Sequence, residues 1–374
     1  MNKITKIGVI GGYGATGSVV VNELLKQTEN QLIIGGRNID KAQQFSEKKG
    51  QRVLAKYVDV YDDKSLAEFC QDCGIIINCT GPGYHILDRV AQAAFKHKCH
   101  YIDTSGEEKV LESLSHHQDE MKTLGLTFLL SAGWMPGLSE VMPIYADMLA
   151  EKEFDSVESL DLYFADASKW SMTGTIDQLE FIYQNRNGVS LDFSNYVKNW
   201  KSKNVAIKSS QFVTLPNPLG IQKVYLYYFE NLKKFTAKKS YPVKSYIAWL
   251  NWKTFITVLY IKFFLKRNQE KAAKTFRKLY EKTNKVRGGN GGFIVVIVKG
   301  KKQNKIQNLI VTLFERRHYW LTGIVPAIAA RMLLENQIST TGCHYLGDAV
   351  NATDFMAEIA KSGIKYDVFF ENDN

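Results

Sequence analysis

Residues 7–17 read Ile7-Gly8-Val9-Ile10-Gly11-Gly12-Tyr13-Gly14-Ala15-Thr16-Gly17. An apolar strand runs straight into a glycine-rich turn. The spacing fits Gly-x-Gly-x-x-Gly through Gly12, Gly14 and Gly17, and it also fits Gly-x-x-Gly-x-x-Gly through Gly11, Gly14 and Gly17. Residues 18–26 place apolar side chains at helical spacing, so strand, tight turn and helix come in the order a phosphate cradle needs. Glycine permits positive φ and close approach of the backbone to a ligand. The free N–H groups and positive dipole end of the helix favour an anion. The stretch therefore predicts a pyrophosphate site and a dinucleotide cofactor. The plainer alternative is an ordinary strand-to-helix turn rich in glycine.

The next strand spans 31–36 and runs into Gly35-Gly36-Arg37-Asn38, with Lys41 shortly after. An NAD-binding unit carries Asp or Glu near this point for the ribose 2′-hydroxyl. A carboxylate would repel a 2′-phosphate, whereas arginine pairs with it through a forked, charge-assisted contact. The expected cofactor is NADP(H) rather than NAD(H). A solvated turn arginine is the competing reading of Arg37.

The length of 374 residues implies two or three domains, and a hydrophobic fraction of 45% is ordinary for a globular chain. Five cysteines are scattered: Cys70, Cys73, Cys79, Cys99 and Cys343. The Cys70-x-x-Cys73 pair has no second pair or histidine partner, so it reads as packing, and no metal site is expected. The cysteine usage fits a reducing cytoplasm, and the sequence ahead of the first strand predicts no signal peptide. The net charge is +10, with much of the excess between Lys198 and Lys305. No nucleic-acid motif accompanies it, so a nucleic-acid partner is not expected. Solvated surface is the bland reading, and attraction to anionic lipid or an acidic substrate the other.

Strand and helix alternate from 51 onward. Strands are predicted at 51–60, 74–80, 100–105 and 126–132, and helices at 63–71, 86–98 and 107–125. Such βα alternation implies an α/β, Rossmann-type parallel sheet covered on both faces. The rhythm changes near Gly137. A linking helix over 137–152 precedes predicted strands at 157–165, 205–214 and 221–229. Residues 293–299 and 305–314 form a hairpin around 300–304, with one face buried and one exposed. A helix over 321–336, a helix over 352–362 and a strand over 364–370 return to the first domain. The organisation is thus a dinucleotide-binding domain over 1–136, a mixed α/β substrate and dimerisation domain over 137–320 and a C-terminal return over 321–374. Within the middle domain lies a helical, aromatic insertion over 241–283. Its core includes Trp249, Trp252, Phe255, Tyr260, Phe263 and Phe264, interrupted by Lys253 and Lys262. The internal lysines argue against a spanning helix. A core or dimer-interface helix and a peripheral membrane contact both remain open.

Several segments converge on one family. Residues 11–17, Gly35-Gly-Arg-Asn38, Asn78-Cys-Thr-Gly-Pro-Gly83, Tyr101-Ile-Asp-Thr-Ser-Gly-Glu107 and Ala132-Gly-Trp-Met-Pro-Gly-Leu138 occur in that order. The chain resembles the saccharopine dehydrogenase (saccharopine reductase-like) family, specifically over residues 4–150 and more weakly over 322–365. The resemblance implies an NADP-binding Rossmann domain interrupted by a mixed α/β domain, often a homodimer, and hydride transfer at a C–N bond of a small metabolite. It implies that Gly11, Tyr13, Gly14, Ala15, Thr16 and Gly17 meet the pyrophosphate side, and that Arg37, Asn38 and Lys41 meet the 2′-phosphate. Asp59 and Val60 would flank the adenine. Thr80, Gly81 and Pro82, with Thr104, Ser105 and Gly106, would line the nicotinamide-ribose side. Where saccharopine reductases carry Gly-Leu-Asp-Pro-Gly, this chain has Gly133-Trp134-Met135-Pro136-Gly137. Trp134 and Met135 therefore point to a substrate less polar than saccharopine, or to a different imine or enoyl compound.

Candidate proton donors beside the cofactor strands are Tyr84, His85, Asp103 and Glu107. Helix- or turn-capping is the alternative for both carboxylates, and a surface or packing role the alternative for His85. A protonated iminium is already electrophilic, so a dedicated acid is not required. Two further readings stand beside a small-metabolite reductase: an NADP-bound regulatory protein without turnover, and a membrane-associated reductase of a lipid-like substrate.

Overall fold

The computed structural model describes residues 4–166, 170–184, 204–207, 211–214, 232–247, 269–283 and 291–372. The chain divides into two compact units, Met1–Leu138 with Tyr319–Ser362, and Ser139–His318 with Gly363–Asn374.

The first unit opens with strands β1 (Lys6–Ile10), β2 (Gln31–Gly36), β3 (Val53–Tyr57), β4 (Ile75–Asn78), β5 (His100–Asp103) and β6 (Thr127–Leu130). Between them come helices α1 (Ala15–Gln27), α2 (Ile39–Glu47), α3 (Asp63–Cys70), α4 (Gly83–Ile86), α5 (Arg89–Lys96), α6 (Glu108–Ser115) and α7 (Gln118–Thr123). The second unit holds α8 (Leu138–Glu153), β7 (Ser156–Asp166), α9 (Met172–Gln184), β8 (Asn204–Ile207), β9 (Gln211–Thr214), α10 (Lys233–Thr236), β10 (Val243–Ile247), α11 (Gln269–Thr283), β11 (Gly292–Lys302) and β12 (Lys305–Glu315). Then α12 (His318–Leu334), β13 (Gly342–Tyr345), α13 (Leu346–Ala349) and α14 (Ala352–Lys361) return to the first unit, and β14 (Tyr366–Asn372) belongs to the second.

The first sheet has the order β13-β6-β5-β4-β1-β2-β3 and is parallel throughout. Its central strands are unbroken apolar runs, with Ile7, Val9, Ile34, Ile75 and Ile77 fully buried, as a sheet covered on both faces requires. The connections diverge at β1, which lies between β2 and β4 (Ile10 opposite both Gly35 and Asn78). That is the switch point at which ligands bind in open α/β sheets, and the glycine turn leaves β1 there.

Several elements differ from the sequence reading. The helix predicted over 86–98 is split, because Leu87 adopts φ +50° and interrupts the ladder between α4 and α5. The helix predicted over 107–125 breaks at His116-His117, and the redirected α7 lets the Gln118 side chain accept the Cys343 N–H of β13 at 2.8 Å. Strand β13 has no counterpart in the sequence reading; Gly-Cys-His-Tyr is too short and too mixed to show a pattern.

The second unit has a sheet of order β10-β7-β11-β12-β14 and the separate hairpin β8-β9. The strand predicted over 205–214 is that antiparallel hairpin, Val205 opposite Val213. The turn between β11 and β12 shrinks to Gln303-Asn304, both at positive φ (51° and 63°), a left-handed pair that matches strand twist. β12 is buried without alternation from Asn308 through Leu313, so the predicted exposed face is corrected to burial on both sides. The C-terminal strand, expected to return to the first domain, pairs antiparallel with β12 instead, Leu309 opposite Phe370. Tyr246 and Ile247, read as the start of the helical insertion, end strand β10, which lies parallel to β7. Residues 221–229 and the aromatic core of the insertion, 248–268, lie outside the described residues.

Candidate functional site

The turn after β1 is held by its own backbone. Gly11, at φ +79°, donates its N–H to the Gly35 carbonyl at 2.8 Å, and Gly14 donates to the Gly11 carbonyl at 2.8 Å. A Cβ at Gly17 would fall on the Gly11 carbonyl, 2.7 Å from its carbon and 2.8 Å from Gly12 Cα. The operative pattern is therefore Gly11-x-x-Gly14-x-x-Gly17. Gly12 matters differently, since a Cβ there would press on Ile34. Gly14 caps α1 without a side chain, and the first helical bond runs from Ser18 N–H to the Gly14 carbonyl. The N–H groups of Ala15, Thr16 and Gly17 thus precede the helical ladder, and no acidic residue stands in the first turn.

Beside it, at the end of β2, Arg37 is exposed and has no hydrogen bond or ion pair among the described residues. Asn38 caps α2, its Oδ1 accepting the Lys41 N–H at 2.9 Å, in an exposed stretch of chain. Tyr13 accepts the Asn38 N–H on its Oη at 3.1 Å. At the end of β3, Asp59 accepts the Tyr61 N–H at 3.0 Å and donates its own N–H to Ser65 Oγ at 3.0 Å, while Val60 is buried.

On the other side of β1 a buried polar network knits the ends of β4, β5, β6 and β13. Asn78 Oδ1 accepts from the Thr80 N–H and hydroxyl, and Asn78 Nδ2 donates to Tyr101 Oη at 3.2 Å. Tyr101 in turn hydrogen-bonds Asp103. Asp103 Oδ1 accepts three backbone N–H groups, from Ser105 (3.1 Å), Gly106 (3.0 Å) and Ser131 (3.2 Å). Ser131 Oγ then accepts the Leu346 N–H at 3.3 Å. Burial raises the Asp103 pKa, outweighing the N–H groups that favour the carboxylate. Tyr101 is pushed well above the usual phenol range by burial and then by the Asp103 charge. Gly106, at φ +65°, packs on Ser131, and a Cβ at Gly83 would meet Ser105 Oγ at 3.2 Å and Glu107 Oε1 at 3.5 Å. The loops after β1, β4, β5 and β6 therefore form one continuous rim.

Residues 7–127 match the family model described as the saccharopine dehydrogenase NADP binding domain. The first unit carries an NADP-binding domain of the saccharopine dehydrogenase type. The carboxynorspermidine synthase of Vibrio cholerae is 26% identical over 181 residues, covering 42% of this chain and 43% of that protein. A probable mitochondrial saccharopine dehydrogenase-like oxidoreductase of Arabidopsis thaliana is 28% identical over 196 residues, covering 43% of each. These matches span less than half of either relative's own length. The apo saccharopine dehydrogenase (L-Glu forming) of Saccharomyces cerevisiae shares the fold at a TM-score of 0.62 and 14% identity, over 98% of this chain and 100% of that one.

Within this saccharopine dehydrogenase-type domain the nominated proton donors separate. Asp103 is 2% exposed and its Oδ1 is fully engaged, so it holds the rim rather than reaching a ligand. His85 is exposed and lines a groove between α3 and α5 with Asp63, Gln92 and His97. Tyr84 and Glu107 stay at the rim, Glu107 buried beside Gly83. Trp134 is 3% exposed and Met135 half-buried, in a loop closed by Gly137 at φ +127°. The sequence reading missed Asn78 and Tyr101 as partners of this rim. A polar residue ending the β4 run was the available signal for Asn78; Tyr101 looked like any core aromatic.

All five cysteines are free thiols. Cys99 Sγ donates to the Cys70 and Cys73 carbonyls at 3.3 and 3.1 Å, so the Cys-x-x-Cys pair packs as the sequence suggested. Burial pushes the thiols of Cys70, Cys73, Cys79 and Cys99 up to about 12. Among the described residues no His, Cys, Asp and Glu cluster could hold a metal. None of the described helices is long and apolar enough to cross a membrane.

Proposed function

We propose that the chain is an NADP(H)-dependent oxidoreductase acting at a carbon–nitrogen bond, an imine or its amine, of a small amino-acid-like metabolite. The observation that supports it most is the single rim built from four strand-end loops, with a glycine cradle at one end and an uncommitted Arg37 beside it. Names of relatives such as carboxynorspermidine synthase, and of saccharopine dehydrogenase among solved structures, point to the same substrate class. When bound, NADPH supplies a hydride from its nicotinamide. The residues of the chain do the rest. Ala15, Thr16 and Gly17 offer N–H groups to the pyrophosphate. Arg37 and Lys41 meet the 2′-phosphate. Thr80, Gly81 and Pro82, with Thr104, Ser105 and Gly106, would line the nicotinamide-ribose side, and the Asn78-Tyr101-Asp103 network holds both loops. Trp134 and Met135 exclude water and favour an apolar part of the substrate. Glu107 or Tyr84 delivers a proton where the substrate is not already an iminium.

Free thiols favour a reducing compartment such as the cytoplasm, and the resemblance favours a homodimer, which light scattering measures directly. The deciding experiment is NADPH oxidation against a panel of oxo acids paired with amines. Turnover with such a pair, at a rate NADH does not match, is the expected result. NADPH binding without oxidation across the panel would support a regulatory protein instead.

A further inference from the structure

We propose that Tyr13 reads the 2′-phosphate together with Arg37, so that one side chain of the pyrophosphate turn sets the preference for NADP(H) over NAD(H). This rests on the NADP reading above.

The side chain of Tyr13 does not stay with the turn it belongs to. It crosses to the end of β2, where its Oη accepts the Asn38 N–H at 3.1 Å. A Cβ at Gly36 would collide with that phenol, on its oxygen and 2.7 and 2.8 Å from Cε1 and Cζ. Glycine at 36 is thus required by the phenol lying over it, and any carboxylate there would take its place. A carboxylate at the end of this strand is what an NAD-binding unit uses to accept from the ribose 2′-hydroxyl. Here an acceptor has been exchanged for a donor. A phenol has one O–H hydrogen and two lone pairs. One lone pair takes the Asn38 N–H, and Tyr13 has no other hydrogen bond among the described residues, so the O–H hydrogen is available. The neighbouring groups suit an anion: Arg37 follows Gly36 directly and is exposed without an ion pair among the described residues. The Asn38 Oδ1, an acceptor beside Arg37, is taken up by the Lys41 N–H. The ligand class is a phosphomonoester on a ribose 2′-oxygen.

The test measures dissociation constants of NADPH, NADH and 2′-AMP for wild type, Tyr13→Phe and Gly36→Ala. Tyr13→Phe keeps the ring and removes both the O–H donor and the acceptor of the exposed Asn38 N–H, an acceptor that water replaces. A hydrogen bond to a charged phosphate predicts a loss of about tenfold for NADPH and 2′-AMP, with NADH changed less than about twofold. Gly36→Ala displaces the ring without removing the hydroxyl and should lower NADPH affinity more than NADH affinity. Equal losses for NADPH and NADH in Tyr13→Phe, or no loss for either, would overturn the role of Tyr13 while leaving the NADP reading intact. A wild-type protein that prefers NADH would overturn both.

Discussion

Replacing Asp103 tests whether the rim is held by one buried carboxylate. In Asp103→Ala the N–H groups of Ser105, Gly106 and Ser131 lose a common acceptor. Gly106 and Ser131 are buried, so water does not replace it there, whereas Ser105 is partly exposed. A buried donor left without a partner costs about 1–3 kcal/mol, so two such donors and the Tyr101 hydroxyl give a loss of about 3–9 kcal/mol. That is a large share of the ~5–15 kcal/mol that typically holds a domain. Asp103→Asn keeps an oxygen for the three N–H groups and turns an NH2 toward Tyr101, so its cost is about 1–2 kcal/mol. Urea unfolding gives the total. Hydrogen exchange read by mass spectrometry over 104–106 and 131 shows whether the loss is local. The two variants also differ in pH response. Burial raises the pKa of Asp103 in the native chain, so the native state holds this proton more tightly than the unfolded one. Its contribution to stability is fully present below the unfolded value, about 4, and is lost as pH rises through the raised native value. Wild type should therefore lose stability relative to Asp103→Asn as pH climbs from about 4 toward neutrality. An Asp103→Ala protein as stable as Asp103→Asn, or a pH response of opposite sign, would refute the hub.

Gly17→Ala should abolish detectable NADPH binding and lower stability by about 1–3 kcal/mol, since its Cβ meets backbone atoms of Gly11 and Gly12 rather than a side chain that can rotate; calorimetry reads both. Arg37→Ala should weaken NADPH by about 1.5–3 kcal/mol and leave NADH nearly unchanged, and equal losses would remove Arg37 from the 2′-phosphate. In the native protein at pH 8, Ellman's reagent should find less than about one reactive thiol per chain, because buried thiols hold little thiolate. All five should react once the chain is unfolded.

The parts of this molecule that are legible in the sequence are those with local causes. The run from Ile7 to Ile10, the glycines after it and the Gly35-Gly36-Arg37 segment carry their own geometry, so strand, turn and helix can be placed from residue type. The rim residues Thr80, Ser105 and Gly106 follow because loops after parallel strands collect at one sheet edge. What stays hidden depends on distant pairing. Gly342–Tyr345 becomes a strand only because β6 offers it an edge, and Tyr366–Asn372 joins the second sheet only because β12 does. Asn78, Tyr101 and Asp103 belong to two strands and meet only after β4 and β5 are in register. Tyr13 is visible as an aromatic in a glycine turn, but its reach to Asn38 needs the turn to be folded.

The order of the strands has a consequence for how the chain is made. Strand β6 is laid down early, yet the partner for its outer edge, Gly342–Tyr345, follows roughly 200 residues later, about 10–40 s of synthesis at ~5–20 residues per second. Through that interval Thr127–Leu130 presents bare backbone on a nascent chain, the kind of edge that recruits other strands. A transcript cut short before codon 342 would release a polypeptide in which that edge never closes, and β12 would lack β14 as well. The cofactor cradle therefore leaves the ribosome long before the outer edges of β6 and β12 meet the strands that cover them.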